Sequence, residues 1–188
     1  MTTKAIGLAV AVCVLMLCGA TAAQAAPEFY VSITGAKQGP FKGESPRKGF
    51  EGKIAGRTFD YSVVSPRDIA SGQATGHRVH KPIKITKAWG AASTQLFTAL
   101  TTNEALTTVV IDFFSVNNSS GMEVLDHTVK LTNAFVTSIA HNSNILVEGT
   151  NLPDIRSAME TVEFVFQQIE LIDHKSKSGA MDSMSAPQ

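Results

Sequence analysis

Apolar and polar residues alternate with a period of two along most of this sequence. In residues 29–34, Phe29, Val31 and Ile33 share one side of the chain, and Tyr30 and two hydroxyl residues take the other. Consecutive side chains of a β-strand point to opposite faces, so this period is typical of a strand with one buried face. A chain built mainly from such segments has to bury its apolar faces inside a sandwich or a barrel.

The same alternation predicts about seven short strands. Their predicted ranges are 29–34, 58–64, 78–87, 107–115, 123–132, 135–140 and 162–172, with 145–148 as a further candidate. Within the last range the apolar residues change phase after Gln167-Gln168, which predicts a β-bulge. Residues 117–121 (NNSSG) have the composition of a hairpin turn.

One segment has helical spacing instead. Leu96, Phe97 and Leu100 recur at i, i+1 and i+4 within residues 92–102, which predicts a single short helix. Ser93 is a candidate N-cap, because its hydroxyl can accept a hydrogen bond from a free backbone N–H. Asn103 tolerates the left-handed geometry that often follows the last turn of a helix.

The N-terminus has the pattern of a secretory signal peptide. An uncharged, mostly apolar run over residues 5–20 follows Lys4 and precedes the small-x-small tripeptide Ala23-Gln24-Ala25. The run is shorter than the roughly 20 apolar residues of a membrane span. We therefore predict that residues 1–25 are removed, that the protein is secreted or periplasmic, and that it has no stable membrane insertion afterwards. An uncleaved anchor helix is the alternative.

The predicted signal peptide contains both cysteines of the chain, Cys13 and Cys18. The remaining 163 of 188 residues can form no disulfide, so packing must stabilise the fold. The full chain has 16 basic and 16 acidic residues and a formal net charge of zero. Because binding to nucleic acid through bulk charge needs a basic surplus, we expect no nucleic-acid partner.

In two segments the apolar residues follow neither the strand period nor the helix period. Residues 35–56 contain several Gly and Pro residues and five basic against two acidic residues, and a loop of this length is usually functional. It is expected to be either a solvated basic loop or an arm that packs on an acidic patch of a partner. The candidate residues for that patch are Glu160, Glu163 and Glu170. Residues 175–188, rich in Ser and Met, are expected to be a flexible tail.

No catalytic, cofactor-binding or metal-binding pattern is found. The sequence contains no G-x-S-x-G, Walker A or G-x-G-x-x-G motif. His77 and His80 stand three apart on a predicted strand, and Asp126 and His127 are neighbours, so each pair should point to opposite faces. His127 is expected on the apolar face, and Asp112 is an isolated carboxylate within an apolar strand. We therefore predict no site residues, no cofactor and no enzymatic activity.

Four segments resemble landmarks of one family. Residues 71–103 (SGQATGHRVHKPIKITKAWGAASTQLFTALTTN) resemble the signature stretch of the Hcp family, the haemolysin-coregulated tube proteins of type VI secretion systems. Residues 39–45 (GPFKGES) resemble its K-G-E-S loop, residues 130–134 (KLTNA) its L-T-N-A strand, and residues 162–170 (VEFVFQQIE) its closing F-x-F-Q-x-I-E strand. The four segments occur in the order found in that family.

The resemblance implies a compact β-barrel with one flanking helix over residues 26–174 and an extended loop at 35–56 that reaches a neighbouring subunit or ring. It further implies a non-enzymatic subunit of hexameric rings. These rings stack into a tube that is fired by a sheath, tipped by a spike protein and able to carry small effectors. The alternative, suggested by the signal peptide, is an exported binding module that keeps the barrel without tube assembly.

Overall fold

The computed structural model describes residues 29–117, 121–142 and 158–184. Within these ranges the elements are β1 (Phe29–Gly35), β2 (Gly39–Pro40), β3 (Ile54–Asp60), β4 (Val63–Val64), β5 (Val79–His80), β6 (Ile83–Ala88), α1 (Ala91–Thr101), β7 (Leu106–Val116), β8 (Glu123–Asn142), β9 (Met159–Asp173) and β10 (Ser178–Ser183). The predicted signal peptide, the candidate strand at 145–148 and residues 118–120 of the predicted turn lie outside the described residues. No helix in the described part is long and apolar enough to cross a membrane.

Six strands close into an antiparallel barrel. Their order is β9, β6, β3, β1, β7 and β8, and β8 then pairs with β9 to complete the circle. β2 adds to β1, β10 adds to the free part of β9, and β4 pairs with β5 as a separate two-stranded ribbon. Closure leaves none of the six wall strands as a continuous free edge. The prediction of a mainly β barrel with one short helix is therefore confirmed.

The barrel interior is lined by the apolar face that the alternation predicts. From β1 it includes Phe29, Val31 and Ile33, which are all buried. The other strands contribute Ile54, Ile83, Ile85, Leu106, Val109, Ile111, Val129, Leu131, Val162 and Phe164. Tyr30, on the opposite face of β1, is also only 1% exposed, although the alternation would place it in solvent. A loop that packs over the outside of β1 buries it.

The helix forms close to its predicted position. α1 packs against β8 and buries Ala92, Leu96 and Ala99. Its N-cap is Gly90, so the prediction of Ser93 as N-cap is wrong by three residues. Ser93 nevertheless satisfies a free donor, because its Oγ accepts a hydrogen bond from the Gly90 N–H at 3.0 Å. Asn103 has φ 54° after the last turn, as predicted.

Several predicted strands have different limits. The range 58–64 is divided between β3, which begins at Ile54, and β4. The range 78–87 is divided into β5 and β6 by Lys81-Pro82, because Pro82 has no N–H to donate to a ladder. The ranges 123–132 and 135–140 are instead joined in one strand, β8, through Asn133 at φ 49°. An asparagine accepts this left-handed geometry, so the strand continues through it.

The predicted change of phase in β9 occurs, but without the register shift of a bulge. Phe166 and Ile169 are both buried, so the inward positions change parity between them. β8 changes parity opposite this point, between the buried Leu131 and Ala134. Because both strands change together, their pairing keeps one register from Phe164 to Asp173. The prediction of a bulge within β9 is therefore wrong as regards pairing.

The predicted flexible tail contains a strand. Residues 178–183 form β10 and pair antiparallel with residues 168–173 of β9. The pairing is possible because β6 ends its contact with this edge of β9 at Phe164, which leaves the later part of the edge free. The tail prediction is wrong for these residues, and residues 185–188 lie outside the described part.

Candidate functional site: a buried charge cluster, a docked loop and exposed apolar surfaces

A buried charge cluster joins the long loop, α1, β6 and β9. Lys87 and Glu160 are directly opposite each other on β6 and β9, and Lys87 Nζ lies 2.9 Å from Glu160 Oε1. Both side chains are at most 1% exposed. Lys87 Nζ also donates to the Ala88 carbonyl (2.6 Å), Ser93 Oγ (3.1 Å) and Glu44 Oε1 (3.2 Å). A buried charge is tolerated when it is paired and hydrogen-bonded in this way.

Ser93 completes the cluster from the first turn of α1. Its Oγ donates to Glu160 Oε1 at 2.7 Å. The other carboxylate oxygen, Glu160 Oε2, is buried without a hydrogen bond and lies 3.4 Å from His141 Nδ1. The Trp89 ring packs on His141 with centroids 4.6 Å apart. Because Ser93 is 1% exposed, its hydroxyl is inaccessible to a substrate, and the cluster ties the helix start to the barrel wall.

Lys87 is absent from the predicted functional residues, although the sequence carries a signal for its buried pairing with Glu160. Lys87 is two residues from Ile85, so the alternation that directs Ile85 inward also directs Lys87 inward. Glu160 is four residues from the buried Phe164 and therefore lies on the same inward face of its strand. A charge on an apolar face is seldom buried unless it is paired. Glu160 was also predicted as a surface contact for a partner, which is wrong because it is fully buried.

The other two carboxylates of that predicted acidic patch are paired within the chain. Glu163 Oε1 lies 2.9 Å from Lys84 Nζ, and Glu170 Oε2 lies 3.5 Å from Lys130 Nζ. Lys84 is directly opposite Glu163 across β6 and β9. Both pairs are partly exposed, and surface pairs of this kind contribute only about 0–1 kcal/mol.

Glu104 anchors the start of the long loop. Its Oε1 accepts the backbone N–H groups of Lys37 (2.6 Å) and Gln38 (2.8 Å), and its Oε2 accepts the Gln38 side-chain amide (2.9 Å). Burial raises the pKa of Glu104, but these hydrogen bonds outweigh burial and hold its pKa below the ordinary value. The carboxylate therefore fixes the β1–β2 turn to the connection between α1 and β7.

The long loop folds back onto the barrel of its own chain. We call residues 46–51 the loop tip, and the outer surface formed by Tyr30, Phe114 and Glu123 the wall site. The Phe50 ring stacks on Tyr30 with centroids 4.2 Å apart and meets Phe114 edge-on at 4.9 Å. Arg47 donates to Glu123 Oε2 (2.5 Å) and to the Tyr30 hydroxyl (3.3 Å). The hydrogen bond to Glu123 raises the pKa of Arg47. The predicted protrusion away from the barrel is therefore wrong for the tip, although Pro46, Lys48, Gly49 and Glu51 stay exposed to solvent. Contact of the loop with a neighbouring subunit stays a prediction.

Asp112 has partners that the sequence pattern does not reveal. Its Oδ2 lies 3.0 Å from Lys53 Nζ, and its Oδ1 accepts a hydrogen bond from Thr128 Oγ1 at 2.9 Å. Tyr30 and Thr128 are its direct neighbours on β1 and β8. This row crosses three strands on the outer face, so Asp112 secures the end of the loop beside the wall site.

Asp126 and His127 do not point apart as predicted. His127 Nδ1 lies 2.9 Å from Asp126 Oδ2, and the His127 ring is partly exposed and stacks on Phe113 at 4.2 Å. The prediction fails because the pairing of β7 with β8 shifts register between Phe113 and Phe114, which leaves Asp126 as an extra residue. Hydrogen bonds from Lys175 and His127 lower the pKa of Asp126 to about 2.

His77 and His80 do not converge on a metal. His77 is exposed before β5, whereas the His80 Nδ1 is 2.6 Å from the Tyr61 hydroxyl and its Nε2 is 3.0 Å from Asp182 Oδ2. Arg78 donates two hydrogen bonds to the same Asp182 carboxylate. These contacts clasp the β4–β5 ribbon to β10. Within the described ranges no group of three or more His, Cys, Asp or Glu side chains could hold a metal ion.

Apolar side chains are exposed on separate parts of the surface. A groove of about 520 Å³ between the ribbon, β9 and β10 is lined by Tyr61, Val63, Leu171 and Met181, among others. The opposite face of the ribbon exposes the paired Val64 and Val79, each by about half. The region of α1 exposes Phe97 by 55% and Trp89 by 50%. Exposed apolar patches commonly mark interaction surfaces.

Comparisons with known proteins identify the family. The family model described as "Type VI secretion system effector, Hcp" matches residues 30–172. A relative named "Major exported protein" from Pseudomonas aeruginosa is 32% identical over 167 residues, which cover 84% of this chain and 95% of the relative.

Solved structures agree in fold. The chain superposes on "Crystal structure of Hcp protein" with a TM-score of 0.75 and 26% identity, covering 85% of this chain and 98% of the other. For "Secreted protein Hcp3 from Pseudomonas aeruginosa" the TM-score is 0.68 and the identity 26%, with 84% and 98% covered. The match covers the barrel, the loop, the charge cluster and α1. The chain belongs to the Hcp family, the structural tube subunits of type VI secretion systems.

Proposed function

We propose that this chain assembles into six-membered rings that stack into a hollow tube. Homologues in the Hcp family form hexameric rings. The observation that carries the proposal for this chain is the presence of exposed apolar residues in two separate regions, the ribbon–β10 groove and the region of α1. A ring needs two different patches on each subunit, because every contact in it is head-to-tail.

Charge also favours association. The formal net charge is zero at pH 7, so copies of the chain do not repel one another strongly. Charges at the edge of the groove are already paired, since Arg78 and Asp182 bind each other. A neighbour therefore meets an apolar surface with a neutral rim, which limits the cost of removing water from it.

We further propose that the chain acts without a catalytic centre. Its most unusual polar groups have structural partners: Ser93 and Lys87 are buried in the charge cluster, and His80 is engaged by Tyr61 and Asp182. This supports a subunit whose work is assembly, in contact with spike and sheath proteins and with small effectors in the tube. It does not favour an exported binding module.

Export is part of the same proposal. We propose that residues 1–25 are a cleaved signal peptide and that residues 26–174 form the barrel domain of a secreted or periplasmic protein. The relative from Pseudomonas aeruginosa is named for export, which supports export of this chain. Mass spectrometry of the exported protein should give the mass of residues 26–188. A mass that includes Met1 would contradict cleavage.

The assembly is tested by light scattering and negative-stain microscopy of the purified protein at micromolar concentration. We expect a mass of six subunits and six-fold rings with a central hole. A stable monomer at that concentration would contradict ring formation and would favour the binding module.

A further inference from the structure

We propose that the loop tip, residues 46–51, stays docked on the wall site of its own subunit when rings form. A neighbouring copy then meets the outer side of a closed loop and does not receive the tip into its own wall site. This inference rests on the proposed ring assembly. It concerns which chain supplies the tip to each wall site.

The base of the loop limits how far the tip can travel. The Gly43 N–H donates to the Gly52 carbonyl at 2.8 Å, and the Ser45 N–H donates to the Lys53 carbonyl at 3.1 Å. Phe41, just before this ladder, is buried in the core. Only six residues lie beyond the ladder, and an extended chain spans at most about 3.5 Å per residue. A tip that runs out and returns can therefore project by only about 10 Å.

The ladder at the base is tightly packed. A Cβ placed on Gly43 would lie 2.1 Å from the Lys53 backbone carbon, so the two sides of the loop approach as closely as a glycine permits. Lys53 is in turn held by Asp112 on β7. The base therefore forms part of the barrel wall, and only the tip could move.

The wall site complements the tip of the same chain in shape and charge. Phe50 fills the space between Tyr30 and Phe114, and Arg47 meets the carboxylate of Glu123. Leaving the site would expose Tyr30, which is 1% exposed in the docked state, and would separate the ion pair. Because exposing a buried aromatic side chain to water is unfavourable, the docked tip is more stable than a free one.

The outer side of the docked loop is the part that stays accessible to a neighbouring subunit. Pro46, Lys48, Gly49 and Glu51 are exposed there. The Glu51 carboxylate accepts the Gly49 N–H at 2.8 Å, whereas Lys48 has no ion pair among the residues the structure describes. The free ammonium suits a carboxylate on the second copy. Lys48 is thus a tip charge available to another subunit, whereas Arg47 is paired with Glu123.

Cysteine cross-linking distinguishes the two arrangements. Cys13 and Cys18 are replaced by serine, so that the introduced cysteines are the only thiols in the full chain. Three variants are prepared: the double variant R47C/E123C and the single variants R47C and E123C. The double variant is assembled alone, and the two single variants are assembled together as a one-to-one mixture. Each assembly is treated with a short bis-maleimide and separated on a denaturing gel. We expect an internally linked monomer from the double variant and no covalent dimer from the mixture.

Covalent dimers from the mixture would overturn the proposal, because they can form only between chains. A double variant without an internal link would overturn it as well. Since these substitutions remove the ion pair, a photo-reactive benzoylphenylalanine at position 50 provides a second test with Arg47 and Glu123 intact. Its cross-link should reach Tyr30 or Phe114 of the same chain. Rings are scored separately by light scattering, so a failure to assemble is distinguished from docking between chains.

Discussion

Lys87 and Glu160 lie directly opposite each other on β6 and β9, with Nζ and Oε1 2.9 Å apart and both side chains buried. The pair brings three parts of the sequence to one point, because Glu44 from the long loop and Ser93 from α1 contact the same ammonium group. Glu44 belongs to the K-G-E-S segment, and Lys87 and Ser93 belong to the signature stretch. Two of the four family landmarks, residues 39–45 and 71–103, thus meet in one polar cluster.

Removing one partner of this pair should be strongly destabilising. We expect Lys87→Met to lower the free energy of unfolding by about 3–5 kcal/mol, because Glu160 is left buried without a cation. Urea unfolding followed by circular dichroism measures the change. The double variant K87M/E160L should recover most of the loss, since two apolar side chains of similar volume need no pairing. A double variant that is no more stable than K87M would contradict this explanation.

Gly56 is expected to tolerate no side chain. A Cβ at this position would lie 1.9 Å from a ring carbon of Phe29, which is buried inside the barrel. We expect Gly56→Ala to cost about 1–3 kcal/mol, the range seen for overpacked cores. The matched control is Gly76→Ala, where the nearest atom is 3.9 Å away. Thermal unfolding of both variants is the measurement, and equal melting temperatures would contradict the prediction.

The clasp between Arg78 and Asp182 should make β10 sensitive to acid. Hydrogen bonds from Arg78 hold the pKa of Asp182 below its ordinary value of 3.8. The folded state therefore favours the ionised carboxylate, and this stabilisation is complete above the ordinary pKa and is lost as pH falls through the lower, folded-state pKa. We expect Asp182→Asn to be less stable than the wild type at about pH 5, with the difference disappearing towards about pH 2. A difference independent of pH would show that Asp182 acts through packing alone.

The groove beside β10 should be required for ring assembly. We expect Met181→Glu to weaken association by about tenfold or more, since a charge would be buried at an apolar contact. Light scattering over a concentration series measures the effect. Met122→Glu is the matched control, because Met122 is equally exposed at the β7–β8 hairpin and lies outside the groove. Equal loss of assembly in both variants would argue against a specific role for the groove.

Local patterns predicted most of the regular structure. The inward residues of β1, β7 and β9 and the buried face of α1 follow from periods of two and about 3.6 residues. The predicted strand limits are wrong where one residue interrupts the alternation, as Pro82 does between β5 and β6. The predicted orientation of Asp126 relative to His127 is wrong for a related reason. A register shift in the β7–β8 pairing cannot be recognised from the sequence of either strand alone.

The functional surface was harder to predict than the strands. Residues 178–183 have almost no alternation, and they form β10 because β9 offers them an unpaired edge and Arg78 binds Asp182. The loop tip was expected to leave the barrel, yet Phe50 and Arg47 find Tyr30 and Glu123 on its wall. In each case the partner lies far away in the sequence.

The sequence by itself determined which residues alternate, which segment is helical and which side chains face the core, because backbone geometry sets these periods within a few residues. Only the tertiary structure decided that β8 meets β9 to close the barrel, that Lys87 meets Glu160 and that the loop covers Tyr30. Hydrogen-bonding edges and buried charges can be satisfied by any suitable partner. The choice among partners is made when the whole chain packs.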